Sequence, residues 1–269
     1  MYDLSGKVLI VTGAGSGMGR ELTLNLTRKG VRVAACDINE TTLEETKTLV
    51  SEPHLIKTYV VDISDYQKAS DLPGTVKSDL QDLHGIINNA GIIQPFVKFM
   101  DLSESAIERV MRVNFYGLLN LTRATLRVLN QNTDAFIVNV SSMGGFLPVP
   151  GQTVYGASKA AVKLFTEALY GEMKGSKVHV SVVFPGAIDT NIAVNSMEDK
   201  GDAQAQQKSG AKHKTTKPDI AADIIIKGIE KGKLKIFVGS DSKMMDKFYR
   251  LMPVKSIDKM AEMIRKMTA

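Results

Sequence analysis

The segment KVLIVTGAGSGMGR, residues 7–20, joins a short apolar run to a glycine-rich turn. The apolar run predicts a buried β-strand, and a helical pattern follows the turn. Glycines let the backbone of such a turn approach a pyrophosphate closely, and the next helix offers free N–H groups at its N-terminus. The spacing departs from G-x-G-x-x-G, because Met18 stands at the sixth place from Gly13 and the glycine falls at Gly19. A merely flexible turn is the alternative, but the strand–turn–helix context favours a dinucleotide site.

Short apolar runs alternate with helical patterns along most of the chain. The predicted strands are 7–12, 31–36, 55–61, 85–88, 135–140, 178–183 and 234–238, and the predicted helices lie near 18–29, 40–50, 66–80, 103–130, 153–174 and 218–231. Several runs are apolar on both faces, as expected of strands that helices cover on both sides. The alternation predicts an α/β fold of Rossmann type: a doubly wound, mostly parallel seven-stranded sheet with helices on both faces. Ligands of such sheets bind beyond the carboxyl ends of the strands.

Composition narrows the class of protein. The chain has 269 residues, of which 43% are hydrophobic and 23% charged, so a large core can form. The net charge of +5 comes from scattered lysines rather than one basic run, and there is no Trp, so we expect no nucleic-acid partner. The histidines are isolated from cysteines and acidic residues, which predicts no metal site. They are His54, His84, His179 and His213.

The cellular setting is predicted from cysteine content and hydropathy. Cys36 is the only cysteine, which excludes an intramolecular disulfide and fits a reducing cytoplasm. No apolar stretch is long enough to span a membrane, and the short run near the N-terminus lacks the layout of a signal peptide. We therefore expect a cytoplasmic protein.

Two segments interrupt the alternation. Residues 195–217 are polar and predict a mobile loop, interpreted as a substrate lid that orders on ligand binding; a loop disordered throughout is the alternative. We expect residues 1–240 to form a single catalytic domain that includes this loop, and residues 241–269 to form an amphipathic helical extension that Pro253 divides.

The extension has apolar faces ringed by basic residues. The apolar residues are Met245, Phe248, Met252, Ile257, Met260, Ile264 and Met267, and the basic ones are Lys243, Lys247, Arg250, Lys255, Lys259 and Arg265. Packing on the protein's own body or on a neighbouring subunit is favoured, because amphipathic faces seek a core. The alternative is an anionic membrane surface.

Asp37 ends the second predicted strand, 18 residues beyond Gly19. A carboxylate there can accept hydrogen bonds from both hydroxyls of an adenosine ribose and would repel a 2′-phosphate. The prediction is therefore NAD(H), with NADP(H) disfavoured. In the alternative, Asp37 caps the helix that begins near Glu40 and tolerates either cofactor.

The order of motifs resembles the short-chain dehydrogenase/reductase family, in its single-domain branch with a Tyr-x-x-x-Lys active site. The resemblance covers about residues 1–240. It rests on the turn from Thr12 to Gly19, on Asn88-Asn89-Ala90-Gly91, on Asn114, Ser142, Tyr155 and Lys159, and on Pro185-Gly186 and Thr190. By resemblance, Asn114, Ser142, Tyr155 and Lys159 are the catalytic residues. The implied cofactor site combines Tyr155 and Lys159 with Gly13, Ser16, Gly17, Met18, Gly19, Asp37, Asp62, Ile63, Asn89, Ala90, Gly91, Pro185, Gly186, Ile188 and Thr190.

The same resemblance bears on the choice of cofactor. Family members that use NADP(H) often carry a basic residue just before the middle glycine, where this chain has Ser16, and the residue after Asp37 is Ile38. Arg20 is a cation nearby, but it lies past the turn inside the predicted helix, and we expect it to point elsewhere.

Tyr155 and Lys159 are four residues apart and share a face of the predicted helix. Lowering the pKa of a tyrosine from about 10 to about 7 needs roughly 4 kcal/mol, which a nearby ammonium and an oxidised nicotinamide can supply in a partly desolvated cleft. Tyr155 would then be the general base in oxidation and the acid in reduction. Tyr170 and Lys174 repeat the motif fifteen residues later, about 22 Å along the helix, and are interpreted as a surface or interface pair.

Ser142 follows a predicted strand and can hold the substrate oxygen, whereas strand alternation turns its neighbour Ser141 to the opposite side. By resemblance, Asn114 fixes a water that links Lys159 to bulk solvent; an Asn that bonds the helix backbone is the alternative.

These residues predict hydride transfer between a nicotinamide cofactor and a secondary alcohol or ketone. The residues between Ser142 and Tyr155 suggest a fairly apolar pocket; they are Phe146, Leu147, Val149 and Pro150. A non-catalytic dinucleotide sensor would need a damaged catalytic set, and a sugar-nucleotide epimerase would have Gly-x-x-Gly-x-x-Gly and a larger C-terminal domain. By resemblance, a homo-oligomer, dimer or tetramer, is expected.

Overall fold

The computed structural model describes residues 1–130, 133–190, 192, 196 and 215–268. Within these residues seven parallel strands form one sheet in the order β3-β2-β1-β4-β5-β6-β7. The strands are β1 (Val8–Thr12), β2 (Arg32–Asp37), β3 (Ile56–Val60), β4 (Gly85–Asn88), β5 (Ala135–Val140), β6 (Val178–Pro185) and β7 (Lys235–Val238). This sheet confirms the predicted doubly wound Rossmann-type fold.

Helices cover both faces of the sheet. They are α1 (Gly17–Thr27), α2 (Glu40–Thr48), α3 (Tyr66–Leu80), α4 (Glu104–Met111), α5 (Leu118–Val128), α6 (Thr153–Glu172), α7 (Pro218–Glu230), α8 (Ser240–Leu251) and α9 (Pro253–Thr268). Successive side chains of a strand point to opposite faces. Leu9 and Val11 therefore enter the core beneath α1 and α7, while Val8 and Ile10 enter the core beneath α3 and α5.

The strand order changes direction at β1. This strand pairs with β2 on one side and with β4 on the other, so the crossovers from β1 and β4 leave toward opposite edges of the sheet. A crevice opens at the carboxyl ends of such a strand pair, which is where ligands of doubly wound sheets bind. The glycine turn after β1 and the Asn88–Gly91 motif after β4 both begin at this crevice.

The helix predicted over 103–130 is not continuous. A π-helical segment, Arg112–Gly117, separates α4 from α5 and carries Asn114, which is buried. A Cβ at Gly117 would lie 2.7 Å from the backbone oxygen of Ile63, so glycine is required for this close approach. Hydrophobic periodicity did not indicate the π segment, because the apolar stripe continues through it. Such interruptions are frequent at functional sites.

The second Tyr-x-x-x-Lys pair does not share a helical face. Helix α6 ends at Glu172, so Lys174 lies beyond it and is exposed, while Tyr170 packs half-buried against the core. The prediction that both residues lie on one helix is therefore wrong.

The C-terminal residues form two helices, α8 and α9, that break at Pro253. Ser256 and Met260 are buried, whereas Leu251 at the corner between α8 and α9 is 79% exposed. Of the predicted loop 195–217, all except Ser196 and residues 215–217 lies outside the described residues. Among the helices described, none has the length and apolar character needed to cross a bilayer.

Candidate active site

The glycine turn is shaped by backbone packing. Gly13 and Gly17 have positive φ angles of 69° and 50°, which favour glycine. A Cβ at Gly13 would lie 3.0 Å from Cα of Ala90, and a Cβ at Gly19 would lie 1.9 Å from the Gly13 carbonyl oxygen. Gly13 and Gly19 therefore have no room for a side chain, and the turn leaves the N-terminus of α1 open toward the crevice.

The turn is fastened to the motif after β4. Thr12 Oγ1 accepts hydrogen bonds from the backbone N–H groups of Asn89 and Ala90, each at 3.0 Å. Asn89 Nδ2 in return donates to the Thr12 carbonyl at 3.0 Å. Asn88 lies behind this contact and donates to Asn139 Oδ1 at 2.8 Å, which ties β4 to β5.

Asp37 ends β2 beside the turn. Its Oδ2 accepts from the Gly15 N–H at 2.8 Å, and its Oδ1 accepts from the Asn39 N–H at 3.0 Å. Helix α2 is capped by Asn39, which accepts from Thr42 N at 3.1 Å, so the alternative in which Asp37 is the cap is wrong. Each carboxylate oxygen keeps capacity for a further hydrogen bond.

Arg20 turns back on the glycine turn instead of pointing elsewhere. Its Nη2 donates to the Gly15 carbonyl at 2.6 Å and contacts Glu45 Oε2 at 2.9 Å, and its Nε donates to Thr46 Oγ1 at 3.0 Å. The guanidinium thus clamps the turn to α2, and Glu45 compensates its charge. The prediction of its direction failed because Glu45 and Thr46 are distant in sequence.

Four predicted cofactor residues lie around the first turn of α1 and the end of β3. Ser16 precedes α1, and Met18 is half-buried against the core. Asp62 Oδ1 accepts from Ser64 N at 2.8 Å. The Ile63 side chain is buried in the core, so only its backbone can face a ligand.

The segment after β6 closes the other side of the crevice. Pro185 is the last residue of β6, and a Cβ at Gly186 would lie 2.3 Å from the Asp241 carboxylate. Ile188 pairs with Thr216 outside the sheet. The Thr190 side chain contacts the turn, since a Cβ at Gly17 would lie 3.2 Å from its Cγ2.

Asn114 bonds across to the segment after β4. Its Nδ2 donates to the Ile92 carbonyl and its Oδ1 accepts from the Ile92 N–H, both at 2.9 Å, and Nδ2 also donates to Ser158 Oγ at 3.0 Å. It thus bonds backbone, but of a distant segment and not of its own helix. A Cβ at Gly91 would lie 3.1 Å from both Asn114 Oδ1 and Lys159 Nζ, so the two side chains border the same small space.

Ser142 and Tyr155 lie side by side. A Cβ at Gly144 would lie 3.5 Å from Ser142 Oγ and 3.6 Å from the Tyr155 ring, and Ser142 Oγ accepts from the Gly144 N–H at 3.0 Å. Burial raises the pKa of Tyr155, and the interaction with the Ser142 side chain acts against that rise. Ser141 lies on the other side, where its hydroxyl donates to the Lys159 carbonyl at 2.7 Å.

Lys159 is an ammonium enclosed by protein. It is 3% exposed, and its Nζ donates to the Val140 carbonyl at 3.0 Å. Burial lowers its pKa to about 8, so the side chain is still mainly charged at pH 7. The site therefore places a positive charge one helical turn from a phenol.

A cavity of about 840 Å³ lies beside these residues, between the loop after β5, α6 and the C-terminal helices. Phe146, Val149 and Pro150 line it together with charged side chains of α6, β7 and α8, whereas Leu147 is buried in the protein interior. Gly144 lies at its edge, and a Cβ there would be 3.6 Å from the Tyr155 ring.

Sequence reasoning missed two residues that shape the site. Gln94 contacts the first turn of α6, and Asp241 accepts from the Ala187 N–H at 3.1 Å. Each contact joins segments more than 50 residues apart, so no local signal in the sequence indicated them.

Comparison with known proteins agrees with this geometry. The short chain dehydrogenase family model matches residues 7–201. The oxidoreductase SadH of Mycobacterium tuberculosis, described as putative, is 36% identical over 261 residues, which are 94% of this chain and 93% of that protein. The 3-oxoacyl-[acyl-carrier-protein] reductase FabG of Thermotoga maritima is 34% identical over 191 residues, covering 70% of this chain and 76% of the relative.

Solved structures share the fold. A short-chain dehydrogenase from Streptomyces avermitilis has a TM-score of 0.81 at 25% identity, with 97% of this chain and 99% of that chain covered. A relative from Burkholderia phymatum, solved in complex with NAD, has a TM-score of 0.83 at 24% identity over 93% of this chain and 96% of that chain. Fold and site together define an oxidoreductase. The chain belongs to the short-chain dehydrogenase/reductase family.

Proposed function

We propose that the protein transfers a hydride between NAD(H) and a secondary alcohol or ketone, while Tyr155 moves the proton. The observation that carries this proposal is the placement of Ser142 Oγ and the Tyr155 ring around the same space at Gly144, one helical turn from the buried ammonium of Lys159. An alcohol or carbonyl oxygen bound between the two hydroxyl groups would meet both a proton donor and an orienting group.

The crevice fits a dinucleotide. The crowded positions of Gly13 and Gly19 bring backbone N–H groups and the α1 N-terminus to one surface, which suits a pyrophosphate. Asp37 would accept from the adenosine ribose hydroxyls, and Asn89 to Gly91 and Pro185 to Thr190 would flank the nicotinamide end. When bound, NAD(H) supplies or accepts the hydride. The protein's own residues position it and handle the proton.

Proton transfer depends on the balance between the neutral phenol and the phenolate of Tyr155. Burial alone favours the neutral phenol, which suits donation of a proton to a ketone oxygen. Oxidation needs the phenolate, and the Lys159 ammonium is the group of this chain that stabilises it. Asn114 would hold a water beside Lys159 through the space at Gly91, so that the proton reaches solvent.

NAD(H) is the proposed cofactor because of Asp37 and Arg20. The carboxylate would repel a 2′-phosphate, and the nearby guanidinium is already paired with Glu45. The apolar side of the cavity, at Phe146, Val149 and Pro150, supports a fairly apolar substrate. The name of the FabG relative, a 3-oxoacyl reductase, supports a ketone as the oxidised form.

The direct test is a panel of secondary alcohols and ketones of increasing apolar size, followed by NADH absorbance and repeated with the NADP pair. We expect turnover with NAD(H) and rising kcat/KM with apolar size. Tight NAD(H) binding without turnover on any member would favour the alternative, a non-catalytic sensor on the same fold.

Assembly is the second part of the proposal. Residues 1–240 would form the catalytic domain and residues 241–269 an extension. The protein would be a homo-oligomer located in the reducing cytoplasm. Leu164 on α6 is 68% exposed and Tyr116 in the π segment is 55% exposed, which supports a helical face that a second copy covers. Light scattering measures the assembly.

The alternative, in which the extension binds a membrane surface, is supported by the corner between α8 and α9. Leu251 and Val254 are exposed there, and Lys247 and Lys255 lie nearby in sequence, also exposed. Flotation with anionic vesicles distinguishes the two: protein that never floats excludes the membrane, and flotation abolished by Leu251→Ser supports it.

A further inference from the structure

The catalytic helix is capped from a distant loop. Gln94, three residues after Gly91, is 1% exposed, and its Oε1 accepts from the N–H groups of Val154 and Tyr155 at 2.8 and 2.9 Å. Its Nε2 donates to the Gly151 carbonyl at 3.2 Å. One buried amide thus accepts from two of the free N–H groups at the start of α6 and donates to a carbonyl of the loop before the helix.

Helix α6 has no cap of its own. The residue at the N-cap position, Gln152, makes no capping hydrogen bond through its side chain, which instead donates to the Gln94 backbone carbonyl at 3.0 Å. The first turn of a helix needs acceptors for its free N–H groups, particularly where it is buried. Gln94 supplies them, and the contact is reciprocal.

Gln94 connects the cap of α6 to the segment after β4. It lies in the same short segment as Asn89 to Gly91, which packs on the glycine turn, and as Ile92, which Asn114 holds. The cap therefore joins the strand end that faces the proposed cofactor to the residue that moves the proton.

We propose that Gln94 is a positioning residue, which fixes the first turn of α6 and thereby the Tyr155 phenol relative to the segment after β4. This inference rests on the proposed function of Tyr155. It assigns Gln94 no contact with substrate or cofactor. Its effect is on geometry, since an error of about 1 Å in a reacting group can cost about 100-fold in rate.

Three variants test the proposal with the best alcohol of the panel and NAD⁺. Gln94→Leu keeps about the same side-chain volume and removes the oxygen that accepts both hydrogen bonds. Its kcat should fall 10- to 100-fold, while the Kd for NAD⁺ stays within about twofold of the wild type. Gln94→Glu restores an acceptor for both N–H groups, and kcat at its own pH optimum should recover to within about fivefold of the wild type. The control Asp65→Ala removes another cap with two acceptor bonds, on α3, and should lower thermal stability without lowering kcat.

Gln94→Glu also places a carboxylate beside the Tyr155 backbone at the start of α6, and a negative charge there disfavours the phenolate. The acid limb of its pH–rate profile should move to higher pH by about one unit. The absorbance of the Tyr155 phenolate, taken as the difference between each protein and its Tyr155→Phe form, should titrate with the same shift. This absorbance needs no turnover, so it separates failure of the inference from failure of the proposed function.

The inference is overturned if Gln94→Leu keeps kcat within threefold of the wild type, or if Gln94→Glu folds but recovers no activity at any pH. A purely structural role would lower activity of both variants in step with the folded fraction and leave the pH profile unmoved. If Gln94→Leu does not fold, the recovery and the titration of Gln94→Glu decide alone.

Discussion

The two sides of the crevice are built differently. On the cofactor side, a Cβ at Gly13 or Gly19 would meet backbone atoms, so these two positions exclude any side chain. On the catalytic side, the helix that carries Tyr155 is held by side chains from distant segments: Gln94 accepts from the Tyr155 N–H, and Asn114 donates to Ser158 Oγ.

The difference implies two kinds of sensitivity. The backbone contacts at Gly13 and Gly19 tolerate no added atom. A side-chain network tolerates conservative changes in volume, but it fails when one donor or acceptor is lost, because buried polar partners are then left unsatisfied. Substitutions on the two sides should therefore separate binding of the cofactor from the rate of the chemical step.

The largest effect is expected at the Tyr155 hydroxyl, the oxygen proposed to transfer the proton. Tyr155→Phe should lower kcat by about 1,000-fold or more, near the upper range for general acid–base catalysis, while the Kd for NAD(H) changes little. Steady-state kinetics and equilibrium titration of the cofactor measure the two quantities.

Tyr170→Phe is the matched control, because this tyrosine lies on the same helix and packs against the core. Its kcat should stay within about twofold of the wild type. A fully active Tyr155→Phe enzyme would remove the mechanism and leave the catalytic side as structural packing only.

On the cofactor side, a substitution should instead weaken cofactor binding. In Gly19→Ala the added methyl would lie 1.9 Å from the Gly13 carbonyl oxygen, so the turn must move. Strain of 1–3 kcal/mol is typical of such overpacking, and we expect the Kd for NAD⁺ to rise about 10- to 100-fold. Gly74→Ala on α3 meets nothing within 4 Å and should raise the free energy of unfolding by about 0.5–1 kcal/mol. Unchanged cofactor affinity in Gly19→Ala would show that the turn does not hold the pyrophosphate.

The same contrast explains what the sequence could predict. The strands and most helices were predictable because apolar runs and glycines act locally, and the seven observed strands lie within two residues of the predicted ends. The residues of the turn and the Tyr155–Lys159 pair could be proposed from the sequence because their motifs are short and ordered.

Long-range side-chain contacts were not predictable. Arg20 was expected to point elsewhere, but its partners Glu45 and Thr46 lie 25 and 26 residues away. The π segment at Asn114 and the cap by Gln94 depend on packing between α4, α6 and the segment after β4, which hydrophobic periodicity does not encode.

A further effect is expected at Asp37, which we propose distinguishes the two cofactors. The wild type should prefer NAD(H) by about tenfold to several hundredfold, since a like charge at about 4 Å costs roughly 1 to 4 kcal/mol. Asp37→Ala should narrow this preference by weakening NAD(H) binding and removing the repulsion, with little change in the chemical step. Asp71→Ala removes an exposed carboxylate on α3 and serves as the charge control. Measured kcat/KM values with both cofactors decide, and a wild-type preference for NADP(H) would refute the assignment.

The smallest effect concerns stability in the absence of ligands, and it tests the burial of Lys159. Its folded-state pKa of about 8 lies below the value of 10.5 for an unburied lysine, so between these values the unfolded chain binds more protons. Stability therefore rises with pH across this window. Between pH 7 and pH 9.5 the wild type should gain about 1–2 kcal/mol in free energy of unfolding relative to Lys159→Met. Urea unfolding at both pH values measures the gain, and Lys163→Met, which removes a partly exposed ammonium paired with Glu167 at 3.1 Å, should show none. Both proteins retain Tyr155, so its raised pKa, which would reduce stability only as pH approaches 10, cancels in the comparison. Parallel curves for the wild type and Lys159→Met would mean that water reaches the ammonium in solution. The catalytic side would then lack the enclosed charge on which the proposed proton transfer depends.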